Sequence, residues 1–386
     1  MASLAEDLIK FYFSLGLRHG EILTLLNTVD DVVMSMRTLR RLLKRMGLYR
    51  RKNQSDPLDV AAFLIDQLDG HKKMYGYKLH HLNCIQAGFV VTQNTVRHLL
   101  RFLDPDGVEQ RRRNRLQRRR YINSGPNFLW HVDSYDKLKP YGICINGAID
   151  GFSRAIIWLH AYSTNSDPSI IAGYFMEEVE KKRGTPARIR SDFGTENVKI
   201  AEMQKFLHWT TTGRDSNNCF IHGSSNHNQR IESWWAYLRT HHAQHWMNLF
   251  QELKDNDCFS GDFLDKQLIL FSCLNLIENE LQEVAHLWNM HSIRHSRNAV
   301  APSGRPLLMY TVPNLFGGQN HLKAVSQEAV AACKDECLQR GPHPCDSTVF
   351  ELCCIVMSDH FLTPSTTAEE AIQLYLFLRT YILKHI

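Results

Sequence analysis

WHVDSYD, residues 130–136, sets Asp133 in an apolar, β-branched run that reads as a strand. RIRSDFGTEN, residues 188–197, puts Asp192 at the end of a second, shorter strand, and HNQRIESWW, residues 227–235, carries Glu232 on a helix. A single acid after a strand means little. Three acids delivered to one place make a site for a hard divalent cation, because Mg²⁺ or Mn²⁺ takes oxygen ligands and keeps open positions for water and phosphate. Carboxylates brought that close repel and raise one another's pKa unless a cation compensates. The plain alternative is three unrelated surface acids.

The surroundings of these stretches describe a layered α/β unit. Residues 128–133, 142–150 and 155–162 read as three strands, with Asp150-Gly151 turning the second into the third. Residues 167–183 form an amphipathic helix opened by Asp167-Pro168, residues 187–191 a short strand, and residues 196–208 another helix. Strands followed by alternating helices and a strand give a mixed sheet covered by helices. On the third motif, Ile231, Trp234, Trp235 and Leu238 make a buried stripe, and Glu232 falls about 100° from its start, at the rim. It can lean over the sheet towards the two aspartates.

With the GAIDGFSRAIIW hairpin after the first motif and the Asp-Phe-Gly-Thr-Glu-Asn run at Asp192, this set resembles the catalytic core of the retroviral integrase and DDE transposase superfamily over residues 126–306. The 39 residues between Asp192 and Glu232 slightly exceed the spacing that motif implies, and the polar run GRDSNN, 213–218, is the place for a loop insertion. The resemblance implies an RNase H-like fold in which Asp133, Asp192 and Glu232 are catalytic and hold two Mg²⁺ or Mn²⁺ ions. Asp133 would bridge them, with Asp192 on one and Glu232 on the other. Asp136, Glu196, Asn197, Asn228 and Arg230 flank the triad and are candidates for orienting it, and Lys137, Asn197, Asn228 and Arg230 are candidates for holding phosphate. Asp150 reads as a turn residue.

Charge divides the chain. Residues 1–125 hold 22 Lys and Arg against 12 Asp and Glu, a net of +10, while the remainder holds 23 against 28, a net of −5. The front third is the footprint for a polyanion. After a Ser35 cap, Leu39, Leu42, Leu43 and Met46 form one stripe, and Arg37, Arg40, Arg41, Lys44 and Arg45 fall opposite. The pattern returns 57 positions on, with Thr92 as cap, Val96, Leu99, Leu100 and Leu103 as stripe, and Arg97 in the place of Arg40. Apolar backs with basic fronts suit two helix-turn-helix units on DNA; the other reading is a pair of solvated surface helices. RRRNRLQRRR, residues 111–120, contributes Arg111, Arg112, Arg113, Arg118, Arg119 and Arg120 as a linker, a phosphate-backbone strip or a nuclear localisation signal.

Zinc is not expected. His71, His80, His81 and Cys84 lack a second cysteine, and Cys219, His222 and His227 lack a fourth ligand and read as loop residues at the mouth of the site. The ten cysteines include no CxxC pair and read as reduced thiols. No apolar run is long enough to span a membrane, and MASLAEDLIK has acids where a signal peptide is basic. The expectation is a multi-domain protein. Residues 1–53 and 54–110 are helix-turn-helix-like units, 111–125 an Arg-rich linker, 126–306 an α/β catalytic core, and 307–386 a mainly helical C-terminal region. Its partner is DNA, its location nuclear or cytoplasmic, and its assembly a homo-oligomer, since two DNA ends must be held. The rival reading is a domesticated DNA-binding or chromatin protein that keeps the fold and performs no chemistry.

Overall fold

A computed structural model describes residues 2–110, 123–212, 218–223, 228–295 and 302–385. The arginine run 111–120, most of the 213–218 loop and His227 lie outside the described residues.

Along the chain come α1 (Ala2–Ser14), α2 (His19–Thr28), α3 (Met36–Arg45), α4 (Pro57–Leu68), α5 (Tyr77–Gln86), α6 (Gln93–Leu103) and α7 (Pro105–Gln110). The sheet region follows as β1 (Trp130–Tyr135), β2 (Cys144–Asp150), β3 (Ile156–Tyr162), α8 (Pro168–Lys182), β4 (Gly184–Thr185), β5 (Ile189–Ser191), α9 (Val198–Thr212) and β6 (Phe220–His222). Then come α10 (Gln229–Leu238), α11 (Gln244–Asp255), α12 (Phe263–Met290), α13 (Pro306–Thr311), β7 (Lys323–Ala324), α14 (Gln327–Lys334), α15 (Ser347–Asp359) and α16 (Ala368–His385).

By packing, the chain makes two compact units that cut across the sequence divisions given above: residues 1–125 with 286–319, and residues 126–285 with 320–386. In the first, α1 to α3 close on Ile9, Leu17, Ile22, Leu26 and Leu39, joined by Leu308 and Val312 from the far end of the chain. Arg305 explains that return: its guanidinium, mostly buried, donates to Glu21, to the Gly16 carbonyl (both at 2.8 Å) and to the Met290 carbonyl. A second cluster, Val60, Leu64, Cys84, Val91, Val96 and Leu100, holds α4 to α6. Both helix caps anticipated in the sequence are present, Ser35 accepting from Thr38 N and Thr92 from Thr95 N, each at 3.1 Å. Arg37, Arg40, Arg41, Lys44 and Arg97 are exposed.

The second unit is built on a five-stranded mixed sheet of order β3-β2-β1-β5-β6. β1, β2 and β3 are antiparallel, and β1 runs parallel to β5, as β5 does to β6. β6 was not foreseen in the sequence. The C-terminal segment belongs to this unit for identifiable reasons. β4 pairs β7, Lys334 meets Glu180 at 2.7 Å, Arg340 meets Glu278 at 3.1 Å, and Arg379 meets the buried Asp265 at 2.7 Å. No helix among the described residues is long and apolar enough to cross a membrane.

Candidate active site

Asp133 lies within β1, and Asp192 directly follows the adjacent parallel strand β5. Trp130 is in register with Ile189 and His131 with Arg190, so continuing by two places sets Asp192, just past β5, beside Asp133. Neighbouring strands lie about 4.8 Å apart. Glu232 arrives from the first turn of α10, the helix packed across β1 and β2.

The start of that helix is fixed by a buried relay. Asn228 donates from Nδ2 to the Val132 carbonyl of β1 at 2.9 Å, and its Oδ1 lies 2.6 Å from His131 Nδ1. Burial holds His131 down at about 3, so the ring is neutral and Nδ1 is the donor to Asn228. Asn228 is itself only 1% exposed. Having both ends of its amide engaged inside the protein, it holds the helix rather than a phosphate.

One turn later the same helix presses Trp235 onto the sheet. Its indole occupies the space above Gly147, the β2 partner of Asp133; a Cβ there would lie 2.9 Å from the Trp235 ring and 3.1 Å from Leu159. From that seat Trp235 Nε1 donates to Asp133 Oδ2 at 2.7 Å. A glycine inside a strand marks a close approach, and that was the available signal. Sequence periodicity placed Trp235 only in the buried stripe.

Charge gathers at this point. Burial foremost, then the Glu232 and Asp192 carboxylates, push the Asp133 carboxyl up to about 7 against the lowering effect of the Trp235 bond. Partial burial and the Asp192 charge raise Glu232 as well. Glu196 is raised by burial and by the Asp192 and Asp136 charges. These mutual effects place the acids in one field. Asp133 and Glu232 are thus made more proton-loving by burial and by neighbouring carboxylates, a charge that a divalent cation held by such hard oxygen donors would offset.

The flanking residues divide by role. Asn197, almost wholly buried, donates from Nδ2 to Asp192 Oδ1 at 3.3 Å and to Glu196 Oε1 at 2.9 Å, and so spans the two acids. Glu196 curls back over Gly194, where a Cβ would collide with its carboxylate. Asp136 is held aside by Asn165 Nδ2 at 2.6 Å and Lys139 Nζ at 3.3 Å, and Lys137 is exposed beside it. Arg230 donates to the Gly151 carbonyl at 3.1 Å. Asp150 is wholly buried and accepts from Asn127 N, Phe152 N, Ser153 N and Ser153 Oγ, which makes it the clamp of the β2–β3 turn. His222, at the end of β6, brings its Nδ1 to 3.5 Å from the Asp192 carbonyl.

Residues 121–307 match a family model described as Integrase core domain. The match contains all three acids, α10 and the hairpin that carries Gly147. No curated protein matches the chain.

Proposed function

Because the chain carries an integrase core domain over residues 121–307, we propose that it is a DNA strand transferase or endonuclease dependent on two divalent metal ions, with Asp133, Asp192 and Glu232 as catalytic ligands. The observation that carries this is the convergence of those acids from β1, the end of β5 and α10. Bound Mg²⁺ or Mn²⁺ would supply Lewis-acid stabilisation to the attacking and leaving oxygens of a displacement at phosphorus. The chain's own groups do the positioning. Trp235 fixes one oxygen of Asp133, Asn197 and the Gly194 N–H steady Asp192, and the His131–Asn228 relay sets the height of Glu232.

DNA capture is assigned to the basic faces of α3 and α6, read as helix-turn-helix-like units with α2 and α5, and to Arg111, Arg112, Arg113, Arg118, Arg119 and Arg120 between them and the core. The same arginine block is a nuclear import signal in this reading, and holding two DNA ends calls for a homo-oligomer. The test is Mg²⁺- or Mn²⁺-dependent nicking and strand transfer on duplex DNA by the purified protein, beside Asp192→Asn and Glu232→Gln. Activity lost in both variants with DNA binding retained supports the enzyme. Salt-sensitive binding with no phosphodiester chemistry even in the wild type supports the other reading, a domesticated DNA-binding protein, which rests on the exposed basic faces alone.

A further inference from the structure

The residue between Asp192 and Gly194 is a phenylalanine that is 74% exposed. Several aromatic rings on this protein are exposed, but Phe193 is bonded directly to one of the three converging acids. Its backbone is continuous with that of Asp192, so it is carried beside that acid. It also stands at the top of an aromatic series. Phe220 is buried in β6, its ring is 4.7 Å from His222, and the His222 ring lies nearly parallel to Phe193, at 13° with centroids 6.1 Å apart. His222 is pinned near the Asp192 carbonyl. The series rises from the edge strand to the lip of the acid cluster and ends in an open ring.

An exposed hydrocarbon face beside carboxylates offers nothing to a phosphate. It offers a stacking surface to a nucleobase, and stacking is tolerant of base identity because every base has a π-face. In a duplex both faces of each base are already stacked. Only an unpaired base can use this ring, whether frayed at an end, flipped out or in a single-stranded overhang. Resting on the nucleic-acid reading of the acid cluster, we infer that Phe193 is a positioning residue that stacks an unpaired base flanking the phosphate under attack, with His222 as its support. The substrate class is thereby narrowed to DNA that is single-stranded or opened next to the reacting bond.

The experiment uses the full-length protein with Ca²⁺, in equilibrium binding to a blunt duplex and to the same duplex with a short 3′ overhang containing 2-aminopurine. Wild type is expected to prefer the overhang by roughly 5- to 150-fold, the equivalent of stacking one base on an aromatic ring, and to quench the 2-aminopurine fluorescence. Phe193→Ala and Phe193→Leu should abolish both the preference and the quench, and Phe193→Trp should restore them. Restoration by another ring, but not by leucine of similar bulk, separates stacking from a merely structural role. Equal affinity for the two DNAs in wild type, or a preference that survives Phe193→Ala, overturns the inference. Because no bond is cut in this assay, that result stands apart from the loss of nicking in Asp192→Asn, which bears on the parent reading.

Discussion

At the scale of single residues, Asp133 shows how environment decides what a carboxylate can do. In the folded, metal-free protein it keeps its proton up to about pH 7, whereas an unfolded-chain aspartate releases it near pH ~3.9. Between those values the folded state binds the extra proton, so this group's contribution to stability falls as pH rises through that window. A cation favours the ionised form and opposes the loss. Thermal unfolding after EDTA treatment should therefore show a midpoint that drops between about pH 4 and about pH 7, with Asp133→Asn removing that part of the drop. Mn²⁺ should raise the midpoint more at the higher pH; an equal rise at both would count against Asp133 as a ligand. The Trp235 bond can be weighed separately. Trp235→Phe keeps the ring over Gly147 and removes only the donor, and should cost about 1.5–3 kcal/mol in chemical denaturation at a pH above about 7, where Asp133 is ionised, the range for a hydrogen bond to a charged group. The strands and the helix that carry the three acids were legible in the sequence from their local contexts. Trp235, as the partner of Asp133, was not, because its bond is made 102 residues away and no local pattern records it.

At the scale of elements, the helices with strong caps and stripes were legible and the shortest strand was not. Ser35, Thr92 and Asp167 each accept the backbone hydrogen bond their position implied, and Ile231, Trp234, Trp235 and Leu238 are buried as their spacing required. Phe220–His222 escaped notice because three residues carry no readable period, and its register comes only from pairing with β5. The π-helical turn Arg239–Ala243 between α10 and α11 was equally hidden, since it interrupts the 3.6-residue repeat on which such readings depend. The junction of α10 with β1 is where element and site meet. Asn228→Ala would leave the His131 N–H and the Val132 carbonyl without this partner in a buried place, at a cost of about 1–3 kcal/mol for each group left unsatisfied. The unfolding free energy should fall accordingly, and Mn²⁺ affinity by calorimetry should fall with it as Glu232 loses its fixed height. Unchanged metal affinity would show that the relay does not set the site. On the basic helices, Arg40→Ala and Arg97→Ala should each reduce the slope of log affinity for DNA against log salt by about one; a slope that does not move would exclude those side chains from phosphate contact.

At the scale of the whole molecule, packing follows pairings that run across long stretches of sequence. Residues 307–386 looked like one C-terminal region. Instead, 286–319 pack with the N-terminal helices through Arg305, Leu308 and Val312, and 320–386 pack with the sheet. Neither join was legible, because Arg305 finds Gly16 289 residues away and Arg379 finds Asp265 114 residues away. A fragment of residues 126–306 would discard Arg379, which pairs with Asp265, and Arg340, which pairs with Glu278. It should show weak near-ultraviolet circular dichroism and no cooperative unfolding, whereas a fragment of that span that melts sharply would refute the role given to 320–386. Arg379→Ala in the full chain tests the same join at one point, and its cost should approach the 3–5 kcal/mol of a broken buried pair, reduced by the Ser260 donors that Asp265 retains.

The seating of Trp235 over Gly147 also bears on how such a protein would decay by inheritance. Loss of an acid announces itself in the sequence, but a single methyl group at position 147 would push the indole off Asp133 while leaving every acid in place. Descendants that drifted out of use could keep all three carboxylates and still be disabled. Among relatives of this chain, those with a side chain at the position of Gly147, or without an N–H donor at that of Trp235, should sort with the inactive copies in a nicking assay, whatever their acids suggest.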